Sequence, residues 1–319
     1  MQNLPTTFPE PVLLGIIGGT GLYHLDGLVP VAKLVIQTPW GSPSSPIIIS
    51  RTPSGMPVAF LSRHGVHHQY SPSDVPYQAN IAALKHIGVE TIIAFSAVGS
   101  LRGNIKPRDF VIPNQVIDRT KGIRTSSFFK AGFVAHVGFG NPFDDELAAA
   151  IAQHASSALQ GDNVLLHTRQ TEKANGFSDV TLICMEGPAF STRAESNLYR
   201  SWGGHVINMS CLPESKLAKE AEIAYQMVCM STDYDAWREE EEAVTVEMVV
   251  SNLKANSENA NRVIVSILNN LEHDITNHRF GKSLRGSMRL ALSTGQHGID
   301  RKLYQDIQFL HPGHYDLAN

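Results

Sequence analysis

The chain has 319 residues, 42% of them hydrophobic and 18% charged, which is enough apolar material for a sizeable core and too little charge for a disordered chain. Twenty-six Lys and Arg against 30 Asp and Glu give a formal net charge of −4, so no global basic field points to nucleic acid or an anionic membrane. No apolar run reaches the ~18 residues of a membrane span, and Cys184, Cys211 and Cys229 are too widely spaced for a CxxC pair or a disulfide framework. The first eleven residues hold three prolines and no Lys or Arg, which is no signal peptide. The expected compartment is the cytoplasm, with the nucleus also open to the chain.

In chain order, the first apolar run is 12–17. It leads straight into Gly18-Gly19-Thr20-Gly21, which predicts a buried strand with a glycine-rich exit. Residues 46–49 and 58–61 read as a hairpin around Pro53-Ser54-Gly55. From Tyr77 the positions Ile81, Leu84 and Ile87 fall at helical spacing, and Gly88 ends that helix. Residues 91–95 predict a buried strand that gives way to a turn of small residues at 96–100. Further strands follow at 110–112, 181–185, 205–209 and 225–230, and then a helix with Val246, Val249 and Val250 on one face. Strands alternating with helices predict an α/β fold, one domain with a central mixed β-sheet flanked by helices. The expected division is a tail at 1–11, the domain proper at 12–270 with a polar surface insertion at 166–179, and a C-terminal extension of the same domain at 271–319. In that extension a short helix is expected at 287–293, and His311-Pro312-Gly313-His314 reads as a turn.

The strand exits carry the candidate chemistry, because ligands of open α/β sheets sit at the carboxyl ends of strands. The turn at 18–21 can converge backbone N–H groups and the Thr20 hydroxyl on an anion. It lacks the Lys of a P-loop and the third glycine of a dinucleotide fingerprint, and a plain tight turn explains it equally well. Arg63-His64 follows a strand, and a planar guanidinium beside an imidazole donor suits phosphate; a polar loop is the alternative. His67 and His68 follow without HExxH spacing or carboxylate partners, so no metal is expected. Ser96 lacks the GxSxG context of a nucleophile; phosphate or sugar contact and a close-packed turn both fit it.

Residues 186–191, EGPAFS, offer Phe190 as a flat apolar platform and Glu186 as an acceptor for sugar hydroxyls, against the alternative of a core aromatic under a loop. Asn208-Met209-Ser210 matches a glycosylation sequon but ends an apolar strand. Met209 can instead cover a sugar face, with Ser210 donating to an anion. Glu214, Lys216, Lys219 and Glu220 read as a solvated helix face. Asp233 and Asp235, at i and i+2, share one side of an extended segment. They suit a heterocycle edge, one facing a ring nitrogen and the other accepting from an exocyclic amine. Helix capping is the alternative for Asp235.

The stretches GIIGGTGL, SRHG, YQANIAALK, SAVGSL, QVIDRT, EGPAFSTRAES, VINMS, LAKEA and STDYDAW run in one order over about residues 15–268. Together they resemble the trimeric purine nucleoside phosphorylase superfamily, in particular its 5′-methylthioadenosine phosphorylase branch. The resemblance implies phosphate-dependent cleavage of S-methyl-5′-thioadenosine to adenine and 5-methylthioribose 1-phosphate, in polyamine-linked methionine salvage. The alternative is a purine nucleoside phosphorylase of broader range. By the same resemblance Thr20, Arg63, His64, Ser96, Ala97 and Ser210 hold phosphate, and Ala97, Phe190 and Met209 line the ribose and base site. Asp233 and Asp235 read N7 and the 6-amino group of adenine, with Asp233 catalytic. Ser191, Val246, Val249 and Val250 set specificity around the methylthio tail, and His136 reaches into a neighbouring subunit's site. Ser210 stands where the family commonly has Thr, and keeps the hydroxyl. The implied partners are a nucleoside and inorganic phosphate as co-substrate, in a homotrimer with no cofactor, no nucleic acid and no membrane.

Overall fold

The computed structural model describes residues 4–25, 27–238 and 246–315, with 246–251 by their backbone alone. Its strands are β1 (Leu14–Gly18), β2 (Val29–Leu34), β3 (Ile47–Arg51), β4 (Pro57–Ser62), β5 (Thr91–Ser100), β6 (Phe110–Val111), β7 (Gln115–Arg119), β8 (Leu166–His167), β9 (Thr181–Met185), β10 (Gly204–Asn208) and β11 (Ala224–Asp233). Its helices are α1 (Tyr77–His86), α2 (Asp145–Ala155), α3 (Arg169–Ala174), α4 (Arg193–Ser201), α5 (Cys211–Glu220), α6 (Val246–Thr276) and α7 (Arg301–Leu310).

One mixed sheet runs β2-β3-β4-β1-β5-β10-β9-β7, with β11 pairing β5 and β6, and β8 pairing β6. Successive residues of the central strands point to opposite faces, as a pleat requires. Ile17, Ile92 and Ala94 enter one core with α1, α5 and α7. Ile16, Ile93 and Phe95 enter the other with α2 and α6. Helices on both faces leave β1, β10 and β11 buried throughout, which is why they read as continuous apolar runs. The expected fold class holds.

The position of the site follows from β5. Its Thr91 to Ala94 stretch pairs with β1, and Gly99 and Ser100 pair with β10 on the same side. Between them, among the described residues, no strand closes that edge, and a cleft opens at the carboxyl ends of β1 and β5. On the other side β11 runs parallel to β5 as far as the Asp233↔Gly99 pair.

Three expectations need correction. Residues 96–100 are strand, not turn: the β11 ladder pairs Ser96 with Cys229 and Ala97 with Met230, so tertiary pairing overrides small-residue composition. Residues 166–179 are not simply a surface excursion. Leu166 and His167 pair with β6, and His167 is held between Asp109 (3.0 Å) and a fully buried Glu172 (2.9 Å). Of the 271–319 stretch, the described residues 271–315 are more ordered than their composition suggests. Helix α6 runs to Thr276, and α7, capped by Asp300, buries Ile307 and Leu310. The helix expected at 287–293 is a single 3₁₀ turn, Ser287–Leu290.

Candidate active site

The cleft beside β5 is a cavity of about 330 Å³. At one end, the chain leaving β1 passes so close to β5 that a Cβ on Gly19 would sit 2.5 Å from the Phe95 carbonyl oxygen and 2.7 Å from Arg63 Nη1. Only glycine fits there. Arg63, next after β4, is fully buried and donates through Nε and Nη2 to the two Glu214 oxygens (2.7 and 2.8 Å), and through Nη1 to Phe95 O (2.9 Å). Burial alone would lower its pKa, but the Glu214 carboxylate outweighs this and raises it. Three of its five N–H groups are therefore committed to protein. The guanidinium does not offer its full fork to a ligand; it lines the cavity with what remains.

His64 also lines the cavity. Its Nδ1 lies 2.9 Å from Tyr70 O, and since a carbonyl only accepts, Nδ1 carries the proton. Burial, and then the neighbouring Arg63 charge, push its pKa down to about 4. The ring is neutral at pH 7 with Nε2 an acceptor, so the expected imidazole donor is instead a proton acceptor at that nitrogen. Ser210 stands at the N-cap of α5 with its hydroxyl unused for capping, 3.3 Å from Ser96 Oγ. Asn208 donates to Ser96 Oγ at 3.1 Å. Thr20 completes this polar end. Helix α5 thus delivers both Ser210 and, one turn on, Glu214. The solvated-face expectation fails for Glu214, which is fully buried, and for Glu220, which accepts from Ser127 Oγ and Phe128 N.

The other end is acidic. Asp233, the last residue of β11, accepts from the Thr232 hydroxyl and from Asp235 N, both at 2.7 Å. Burial nevertheless pushes its carboxyl up to about 6, with the Asp235 charge adding to the rise. Asp235 lies beyond the strand with φ +50°, so alternation along a strand is not what brings the two acids together. The turn that returns its N–H to Asp233 does so. Burial raises the Asp235 pKa as well, and its Oδ2 has no hydrogen-bond partner among the described residues. Gly99 leaves room beneath both: a Cβ there would stand 3.0 Å from Asp233 Oδ1 and 3.3 Å from Asp235 Cβ.

Ala97, Phe190, Met209 and Ser191 line the same cavity. Glu186 does not line the cavity as expected; its side chain is buried and accepts from Lys121 N at 2.6 Å. The loop is tied down by Arg124, which donates to Glu186 O, Met209 O and Leu212 O, each at 2.7 Å, and to Ser73 Oγ at 3.1 Å. Neither Arg124 nor Glu214 is marked by any local sequence signal. Leu253 on α6 borders the cavity. Val246, Val249 and Val250 stand on the first turns of that helix, but their side chains lie outside the described residues. Leu253 continues their spacing and could have been added from it. His136 is exposed, away from its own chain's cavity, with its backbone N–H on Ala291 O.

An anion-ready end, apolar walls and a pair of buried acids, placed where an α/β sheet forks, define an enzyme that handles a nucleoside together with an oxyanion. The chain belongs to the phosphorylase superfamily, whose family model matches residues 13–269. It is 61% identical to an S-methyl-5′-thioadenosine phosphorylase of Yarrowia lipolytica over 98% of this chain and 97% of that one. It is 58% identical to one of Candida albicans over 99% and 93%. Among solved structures it resembles a methylthioadenosine phosphorylase from an antarctic soil metagenomic library, with a TM-score of 0.84, 38% identity, and 95% of this chain and 100% of that one covered. A methylthioadenosine phosphorylase from Schistosoma mansoni in complex with adenine has a TM-score of 0.79 at 28% identity, with 88% and 99% covered.

Proposed function

We propose that the chain cleaves S-methyl-5′-thioadenosine by phosphorolysis, giving adenine and 5-methylthioribose 1-phosphate. The observation that carries the reading is that one cavity joins Thr20, Arg63, His64, Ser96 and Ser210 at one end to Asp233 and Asp235 at the other. Full-length relatives at 53–61% identity bear the corresponding name. In this reading the C1′–N9 bond lengthens first, leaving cationic character on the ribose and negative charge on the purine. Asp233 in its protonated form gives a proton to N7 and drains that charge. A phosphate oxygen then bonds to C1′. Phosphate arriving as the dianion carries one P–OH, which His64 Nε2 accepts, while Arg63 and the hydroxyls donate to its other oxygens. The chemistry needs inorganic phosphate as co-substrate and no metal or organic cofactor.

Adenine is favoured over a 6-oxopurine, because an ionised carboxylate beside a 6-carbonyl would set two acceptors face to face in a buried site. A purine nucleoside phosphorylase of broader range is accordingly not favoured. Leu253 supplies an apolar border suited to a thioether, a preference of about 1–3 kcal/mol over a hydroxyl. Assembly as a homotrimer, with His136 turned toward a neighbour, and residence in the cytoplasm with access to the nucleus belong to the same reading. The test is base release from methylthioadenosine, adenosine and inosine, each with and without phosphate. Methylthioadenosine should be preferred and phosphate required. Equal turnover of inosine would overturn the adenine assignment.

A further inference from the structure

At the opposite end of β11 from Asp233, the chain assembles a cluster that phosphorolysis does not use. Glu222 lies in the turn between α5 and β11, and His311 and His314 follow α7 in the His311-Pro312-Gly313-His314 turn. One candidate ligand atom from each residue lies within 4.8 Å of the other two, the one such group among the described residues. We infer that these three side chains bind a divalent transition metal of the zinc class, which pins the C-terminal segment to the α5–β11 turn.

The hydrogen bonding leaves a bare imidazole lone pair at the cluster. His311 is fully buried, and its Nε2 lies 2.7 Å from Glu220 O. A carbonyl only accepts, so in the uncharged ring Nε2 carries the proton and Nδ1 is a bare lone pair. That Nδ1 has no hydrogen-bond partner among the described residues. His314 differs, because its partner is a carboxylate. Its Nε2, 3.1 Å from Glu222 Oε2, donates to it in the metal-free ring and becomes the ligand atom when a metal takes the place of that proton, and its Nδ1 is buried and unpartnered among the described residues. The two rings stack with centroids 4.6 Å apart. A buried acceptor without a donor is costly, and a cation beside His311 Nδ1 satisfies that lone pair while the Glu222 carboxylate balances its charge.

The surroundings match what metal ligands require. A ligating imidazole ordinarily donates its other ring N–H to a carbonyl or carboxylate, which fixes its orientation, and His311 does so to Glu220 O. The Glu222 carboxylate is held by the backbone N–H groups of Gly286 and Met288, each at 2.8 Å. Two imidazoles and one carboxylate, with no thiolate, suit zinc better than copper(I), and better than the all-oxygen preference of calcium or magnesium. The 3.1 Å His314–Glu222 spacing is close to the ~3.3 Å edge of a zinc tetrahedron with ~2.0 Å bonds. Three protein donors leave the fourth position to water.

The ten residues of β11 put roughly 30 Å between this corner and the acidic end of the cavity. The metal acts on the fold, and the expectation of metal-free chemistry at the cavity is untouched. The test uses the full chain, stripped with a chelator and titrated with zinc under a competing chelator, with bound metal measured by elemental analysis. One zinc per chain is expected, and its affinity should fall by at least ~100-fold in His314→Gln and in Glu222→Gln. Cobalt(II) in place of zinc should give the intense visible bands of a tetrahedral site. Zinc should raise the unfolding temperature of the native chain and leave that of His314→Gln unmoved, with adenine release unchanged in both. Failure of the native chain to retain zinc, or equal retention by both variants, would overturn the assignment and leave the cluster a hydrogen-bonded clasp.

Discussion

Replacing Asp233 by Asn separates the two consequences of burying an acid. In the native chain the carboxyl is held at about 6 instead of its ordinary 3.8. The folded state therefore keeps a proton that the unfolded chain releases. Below pH ~3.8 both states are protonated and nothing is lost. Stability falls as the pH climbs from there through 6, and above that the full cost is about 3 kcal/mol. Asn carries no such cost, so the variant should unfold about 5 °C higher at pH 7.5, with the gain shrinking as the pH falls toward 4. Activity should move the other way. At pH 7 roughly a tenth of the native sites hold the proton, and kcat/KM at saturating phosphate should fall tenfold per unit above pH 6. The amide is a donor at every pH but cannot give up a proton. Adenine release should drop by about 10²–10⁴-fold and lose its inflection near 6, while inosine turnover rises. Chromatographic assay of free base across pH 5–8, with scanning calorimetry on the same samples, reads both effects. An inflection near 6 that survives in the variant, or a variant less stable than the native chain at pH 7.5, would refute the reasoning.

Glu214→Ala leaves the Arg63 charge buried without its carboxylate, and should cost about 3–5 kcal/mol in denaturant unfolding while raising the KM for phosphate; a loss under about 1 kcal/mol would mean the pair does not hold the guanidinium. Arg124→Lys keeps the charge but cannot span Ser73, Glu186, Met209 and Leu212. It should lower kcat/KM by about 10–100-fold with unchanged circular dichroism, and full activity would show that the loop needs no such anchor. Gly99→Ala places a methyl against Asp233 and Asp235, and about a tenfold rise in nucleoside KM with phosphate KM unmoved is expected on steric grounds.

What could be read from the chain beforehand follows the range of each signal. Strand exits are local, so Thr20, Arg63, Ser96, Met209, Ser210 and Asp233 could be picked from a glycine, a charge or a hydroxyl at the end of an apolar run. Structure brings them to one cavity. Glu214 could not be found that way. Its partner Arg63 is 151 positions distant, and on a helix with Lys216 and Lys219 a carboxylate looks like surface. Arg124 sits in a stretch with no periodicity, and its meaning lies wholly in the carbonyls it reaches. Asn208 was masked by a sequon that its burial makes irrelevant. Helix α7 was lost among glycines and serines, although Asp300 as cap and Leu303, Ile307 and Leu310 at helical spacing mark it in retrospect. The 96–100 stretch misled for the opposite reason. Small residues that resemble a turn are there because β5, flanked by β10 and β11, must leave space beside Asp233.

The central claim is that phosphate and nucleoside meet in one cavity, so that a phosphate oxygen becomes the new substituent at C1′. Phosphorus NMR of a methylthioadenosine reaction run with ¹⁸O-labelled phosphate tests it directly. One sugar 1-phosphate is expected per adenine released, with labelled oxygen in the bridge to carbon. Free methylthioribose beside unconsumed phosphate would contradict it.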